Sequence, residues 1–233
     1  MRLRKLSTSG LSQALAGSPL YLEPTGPLHW PDVFGNTQPV EVEVGCGKGL
    51  FLITAATQRP DTNFFGIELA RKYALFAADR VARRCLTNVR VARADARQVL
   101  AQLVPDGSVS VLHVYFPDPW WKRRHQKRRL FTEEFVGHAG RILVPGGEFR
   151  VATDVEEYFH VMCTLVEHNP CFALRQMPPE RPPEHDLDYL TNFERKYRQA
   201  GKSIFRAVFT AQRGTSGPCS LRIARPETAR VVR

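Results

Sequence analysis

The stretch from Val40 to Gln58 constrains the fold more than any other part of the chain. Val40–Val44 reads VEVEV, alternating apolar and acidic side chains with the two-residue period of a strand. Gly45, Gly47 and Gly49 follow at alternate positions, and an apolar helical run extends from Leu50 to about Gln58. A strand that feeds a helix through so tight a glycine turn is the opening unit of a parallel α/β sheet. The same alternation then continues. Asn63–Leu69, Val89–Ala92 and Val109–Phe116 read as strands, and Arg71–Arg84 and Ala96–Leu103 as the helices between them. Phe131–Leu143 reads as a helix stopped by Pro145-Gly146-Gly147. Glu148–Ala152, Phe172–Met177 and Ser203–Thr210 are the last expected strands, with helices over Val155–His168 and Thr191–Gln199.

This order predicts an α/β fold: a Rossmann-like, mostly parallel sheet with helices on both faces. In such sheets ligands sit at the carboxyl ends of the strands, so function belongs to the residues just after each strand. The 233 residues suffice for one such domain, expected over 39–211. Residues 1–38 carry Pro19, Pro24, Pro27 and Pro31 and are expected to form an irregular arm rather than core. Residues 212–233 hold Arg213, Arg222, Arg225, Arg230 and Arg233 with little apolar pattern, which predicts a basic, mobile tail.

The net charge of +10 draws the chain toward polyanions, nucleic acid first among them. No apolar run reaches the roughly 20 residues that cross a bilayer, and no leader pattern follows the basic start, so no membrane association is expected. The five cysteines are scattered and form no C-x-x-C pair. That argues against zinc and dithiol redox motifs, predicts no metal site, and suits a reducing cytoplasm.

The glycine turn reads G-x-G-x-G, not the G-x-G-x-x-G of dinucleotide sites, and Lys48 is followed by Gly49 rather than the Ser or Thr of a P-loop. Glu43, two residues upstream, suits a cationic ligand and repels a pyrophosphate. Glu68 lies 23 residues after Gly45 at the end of the second strand, where a carboxylate can accept from both ribose hydroxyls. Asp95 follows the third strand and could hold an adenine amino group. Each carboxylate alone would more often be a helix N-cap or a solvated end. Three in succession at one sheet edge point to an adenosyl cofactor with a positive end, S-adenosyl-L-methionine.

The fourth strand runs into Phe116-Pro117-Asp118-Pro119-Trp120-Trp121, a stiff turn with one carboxylate at its tip. Six of the eight residues from Lys122 to Arg129 are basic. Aromatics beside dense positive charge suit an unstacked base and its phosphates; elsewhere in a chain the same run would read as a solvated charge cluster.

Together these residues resemble the tRNA (guanine-N7-)-methyltransferase family of the single-chain bacterial type. The resemblance rests on Glu43-Val44-Gly45-x-Gly47-x-Gly49, Gly66-Ile67-Glu68, the run from Phe116 to Arg129, Ala152-Thr153-Asp154 and Thr191-x-Phe193-Glu194. It spans roughly Pro39 to Phe209. It implies the class I S-adenosylmethionine-dependent methyltransferase fold. It further implies cofactor binding by Glu43, Gly45, Gly47, Gly49, Glu68, Asp95 and Asp118, with Asp118 also the catalytic carboxylate. Lys122, Asp154, Thr191, Asn192, Phe193 and Glu194 match the family's substrate-binding positions. The implied partner is tRNA, whose variable-loop guanine is the target. The protein is then expected as a monomer or homodimer with no obligate second subunit. Gln126 and Asn192 depart from the commonest family residues.

Guanine N7 carries an in-plane lone pair and no proton. Asp118 is therefore expected to position and stabilise rather than to act as a general base. Other readings are a Rossmann methyltransferase with another acceptor, a non-catalytic RNA-binding relative and a nicotinamide-dependent oxidoreductase. The turn after the fourth strand disfavours an amine acceptor, and the glycine spacing disfavours a nicotinamide.

Overall fold

The computed structural model describes residues 10, 15, 18–120, 128–175 and 203–212. The elements are β1 (Tyr21–Leu22), α1 (Trp30–Phe34), β2 (Val40–Val44), α2 (Leu50–Gln58), β3 (Asn63–Glu68) and α3 (Arg71–Ala82). They continue with β4 (Val89–Arg93), α4 (Ala96–Gln98) running into a π-helical turn (Val99–Leu103), β5 (Val109–Tyr115) and α5 (Glu133–Ile142). The last are β6 (Leu143–Thr153), α6 (Glu156–Glu167), β7 (Phe172–Arg175) and β8 (Phe205–Ala211). The expected helix over Thr191–Gln199 lies outside the described residues.

One eight-stranded sheet runs in the order β1-β4-β3-β2-β5-β6-β8-β7. Every pairing from β1 to β6 is parallel, and β8 runs antiparallel to both β6 and β7. The order reverses between β2 and β5, which makes their carboxyl ends the topological switch point. The fold is the α/β sheet that the strand–helix alternation predicts.

Two apolar layers cover the sheet. On one face α2 and α3 pack Phe51, Leu52, Ala74, Ala77 and Ala78 against Phe64 and Val89. On the other, α1, α5 and α6 pack Phe135, Ile142, Tyr158 and Met162 against Val42, Phe65, Leu112 and Phe149. Helix α5 shows why these boundaries fall where they do. Thr132 Oγ1 accepts the Phe135 N–H at 3.1 Å, Glu133 and Glu134 occupy the positive first turn, and Arg141 the last.

Two expectations need correction. The stretch before Pro39 is not all irregular arm, because Leu28, Trp30 and Phe34 are buried in the core. Trp30 meets Phe65 edge-on at 5.2 Å and donates its indole N–H to Ser108 at 3.0 Å, and Tyr21–Leu22 adds an edge strand. Second, the helix does end before Pro145-Gly146-Gly147, at Ile142, but the next strand starts earlier than the expected Glu148. Strand β6 begins at Leu143 and absorbs these residues where its pairing with β5 shifts register between Val109 and Val111. Among the described cysteines, Cys46, Cys85 and Cys163 are free and Cys171 is disulfide-bonded. Among the described residues no helix is long and apolar enough to cross a membrane.

Candidate active site

The carboxyl ends of β2, β3, β4 and β5 surround a cleft of about 860 Å³. Its floor is the turn between β2 and α2. Gly45, Gly47 and Gly49 adopt φ of 74°, 54° and 70°, the left-handed region that only glycine enters without strain. An ideal Cβ on Gly45 would meet nothing within 4 Å, so the space over the turn is open to a ligand. The Gly45 and Cys46 N–H groups both donate to Ile67 O, at 2.8 and 3.1 Å, which ties the turn to β3. Gly66 on β3 allows that approach, since a Cβ there would stand 2.4 Å from Leu52 Cδ1 and 3.0 Å from Cys46 Sγ.

The sequence-predicted carboxylates converge here. Glu43, Glu68, Asp95 and Asp118 all line the cleft. Glu68 accepts the Gly47 N–H at 2.9 Å on one oxygen and the Ala70 N–H at 2.8 Å on the other, so its orientation is fixed from both sides. Glu43 is only 3 % exposed, and its Oε2 has no hydrogen-bond partner. Burial, helped by the nearby Glu68, pushes its carboxyl up to about 8. A buried carboxylate of this kind needs a cation or a donor to complete it. Asp95 caps α4, accepting the Arg97 N–H at 3.0 Å, and pairs with the Arg97 guanidinium at 2.7 Å. The Arg97 hydrogen bonds hold it below the usual carboxylate range. Capping and cleft lining thus coexist in this residue.

The fourth side of the cleft is the turn after β5. Phe116 and Trp120 both adopt left-handed backbone, with φ of 53° and 42°. Such conformations cost on the order of 1–3 kcal/mol each in non-glycine residues and persist only where surrounding structure enforces them. Here Phe116 N–H donates to Ala152 O at 2.7 Å, and Arg129 Nε donates to Pro119 O at 3.1 Å. The Arg128 guanidinium lies 5.1 Å over the Trp120 ring, a cation–π contact. The basic run is therefore folded back against the turn at its C-terminal end. Asp118 is exposed at the tip.

Asp154 follows β6 at the same sheet edge, half-buried and outside the cleft wall. Lys122, Thr191, Asn192, Phe193 and Glu194 lie outside the described residues. Sequence reading missed Tyr115, Phe51, Leu69, Tyr73 and Arg128 as cleft residues. The strand-end rule, applied to every strand and not only to its carboxylates, points to Tyr115 and Leu69. Among the described residues no group of three or more His, Cys, Asp or Glu side chains could hold a metal ion.

The residues fit S-adenosyl-L-methionine. The open glycine turn admits close backbone approach, Glu68 is oriented at the ribose position, and Glu43, with its Oε2 unpartnered, matches a cationic amino-acid end.

Comparisons with known proteins agree with this geometry. Residues 37–207 match the family model described as "Putative methyltransferase". The chain is 43% identical to the tRNA (guanine-N(7)-)-methyltransferase of Rhodopirellula baltica, over 76% of this chain and 68% of that protein. It is 35% identical to the protein of the same name from Geobacter metallireducens, over 81% and 90% respectively. Among solved structures it resembles the 16S rRNA methyltransferase KamB, with a TM-score of 0.54, 18% identity, and 91% and 96% of the two chains covered. That last likeness concerns the fold alone. With a family model matching most of its length and relatives well above 30% identity, the chain belongs to the tRNA (guanine-N7-)-methyltransferase family.

Proposed function

We infer that this protein transfers the methyl group of S-adenosyl-L-methionine to N7 of the variable-loop guanine of tRNA, giving 7-methylguanosine. The observation that carries the reading is the meeting, in one cleft, of a buried carboxylate with one unpartnered oxygen beside a glycine turn and a strained aspartate turn backed by arginines. Family membership supplies the acceptor.

S-adenosyl-L-methionine, when bound, supplies an electrophilic methyl on a positively charged sulfur. Glu43 would take the cofactor's cationic end, Gly45, Gly47 and Gly49 its close-packed backbone, Glu68 the ribose hydroxyls and Asp95 the adenine side. Asp118 would hold the guanine edge and offset the positive charge that appears on the purine as N7 is alkylated. No proton leaves N7, so no general base is required, and positioning in line with the methyl carries most of the rate. Lys122 and the arginines after it would grip phosphates, and Asp154, Thr191, Asn192, Phe193 and Glu194 would complete the acceptor side. We read the enzyme as a cytoplasmic monomer or homodimer that needs no second kind of subunit.

The test is transfer of labelled methyl from S-adenosyl-L-methionine to unmodified tRNA, with nucleoside analysis. Label is expected as 7-methylguanosine, and none with tRNA whose variable-loop guanine is replaced. Label in another nucleoside would assign another acceptor. Cofactor and tRNA binding without label would mark a non-catalytic RNA-binding relative.

A further inference from the structure

A sheet covered by helices on both faces ordinarily presents apolar side chains to both. Here the face under α2 carries a row of polar groups that ends at the cleft. Glu41 and Glu43 on β2, and His113 and Tyr115 on β5, share this face by the two-residue period. His113 is 0 % exposed and Glu41 5 %. His113 Nε2 lies 2.9 Å from Glu41 Oε2, and its Nδ1 lies 2.8 Å from the Tyr115 hydroxyl. Glu41 is in turn held by both Nη atoms of Arg59, the Nη2 bond being 3.0 Å. Phe51 covers the row, its ring 4.5 Å from His113 and 5.3 Å from Tyr115.

The protonation states give the chain a direction. Burial holds His113 below its ordinary value despite the Glu41 carboxylate, with Arg150 and Arg59 adding to the effect, so the ring is neutral. Burial also raises Glu41, but His113 and Arg59 outweigh it and keep the carboxyl below its ordinary value, hence ionised. Burial raises Tyr115 strongly, so its hydroxyl keeps its proton. His113 Nε2–H therefore donates to Glu41, and the Tyr115 O–H donates to Nδ1. Every group in the chain has one role and no spare orientation.

Buried polar chains of this kind contribute little net stability compared with apolar packing. What they supply is fixed geometry, because breaking any link strands a buried polar group. This chain ends at one particular place. Tyr115 is the last residue of β5 and lines the cleft, and Phe116, with φ of 53°, starts the turn that carries Asp118.

We propose that Glu41, His113 and Tyr115 are positioning residues for methyl transfer: their hydrogen-bonded chain locks the end of β5 and so sets the Phe116–Trp120 turn that presents Asp118 to the cleft. This rests on the role given to Asp118 above.

The test compares full-length wild type with Tyr115→Phe, His113→Leu and the double variant. For each, kcat and KM for tRNA, calorimetric affinity for S-adenosylhomocysteine, Tm, and hydrogen exchange at the Phe116 amide are measured. Tyr115→Phe is expected to lower kcat about tenfold and speed Phe116 exchange, with KM and cofactor-product affinity within about twofold of wild type. The double variant removes both partners of one bond and should recover Tm relative to the single variants, while kcat stays low. Recovery of kcat together with Tm in the double variant would show a purely structural role and overturn the proposal. If wild type moves no methyl to tRNA, the function proposed above fails instead. Exchange then decides the positioning alone: faster exchange at Phe116 in Tyr115→Phe sustains it, and unchanged exchange overturns it.

Discussion

Two turns line the cleft, and both use left-handed backbone. In the turn after β2 that conformation falls on Gly45, Gly47 and Gly49; in the turn after β5 it falls on Phe116 and Trp120. The first is relaxed. Its residues carry no Cβ to clash, and the absence of side chains is what opens the surface to a ligand. The second is strained and is held in place from outside, by Ala152 O, by Arg129 and by the cation–π contact of Arg128. One end of the site is thus shaped by what is missing, the other by what restrains it. Binding should be sensitive to additions at the first turn, and turnover to loosening of the second.

The largest effect expected is on the restrained side. Asp118→Ala should lower kcat for tRNA methylation by about 100-fold, roughly 2.7 kcal/mol of barrier, with tRNA affinity by filter binding nearly unchanged. Lost tRNA affinity with kcat unchanged would place Asp118 in docking rather than in the reaction. Next comes the relaxed side. Gly66→Ala inserts a Cβ 2.4 Å from Leu52 Cδ1 under the glycine turn. It should cost about 2 kcal/mol of stability in urea unfolding and weaken S-adenosylhomocysteine binding with it. An unperturbed variant would mean the turn has slack that the packing denies.

Phe116→Gly sharpens the contrast further. Glycine removes the backbone strain but frees the turn, and it gives up the half-buried ring. Stability should stay within about 1 kcal/mol of wild type while kcat falls about tenfold. A parallel fall in both would show that the strain has no part in turnover. The smallest effect concerns Glu43, whose pKa is raised to about 8 by burial and then by Glu68. A carboxyl raised on folding keeps its proton in the folded chain after the unfolded chain has lost it. Its contribution is whole below the ordinary carboxylate range and is lost as pH climbs to about 8. Without ligand, wild type should lose a few degrees more in Tm between pH 5 and 8 than Glu43→Gln does. Identical pH profiles would mean that Glu43 ionises freely.

The strand–helix order, the glycine turn and the carboxylates after β2, β3 and β4 are legible from period and spacing alone, because backbone sterics and strand ends dictate them locally. What sequence hides is what covers a face. The VEVEV alternation of β2 correctly puts Glu41 and Glu43 on one side, and period two says no more than that. Only the packing of α2 turns that side into interior and makes the two glutamates a buried pair with different fates. Glu41 is paired with Arg59 and His113, while Glu43 keeps one oxygen without a partner. The same limit applies to Trp30 and Phe34. Their prolines read as loop, and only the distant Phe65 and Ser108 show that the segment closes the core. The left-handed Phe116 carries no local signal at all, since neither its type nor its neighbours call for that conformation.

The reversal of β8 has a consequence for the acceptor side. Phe205, where β8 begins, pairs with Thr153 at the carboxyl end of β6, and β7 runs parallel to β6 on the far side of β8. The chain therefore leaves the sheet after Arg175 and re-enters it before Phe205 along the edge that bears the cleft. Residues Thr191 to Glu194 belong to the span between those two points. The candidate acceptor-side residues are thus joined covalently, at both ends of their segment, to the sheet edge that bears the cleft.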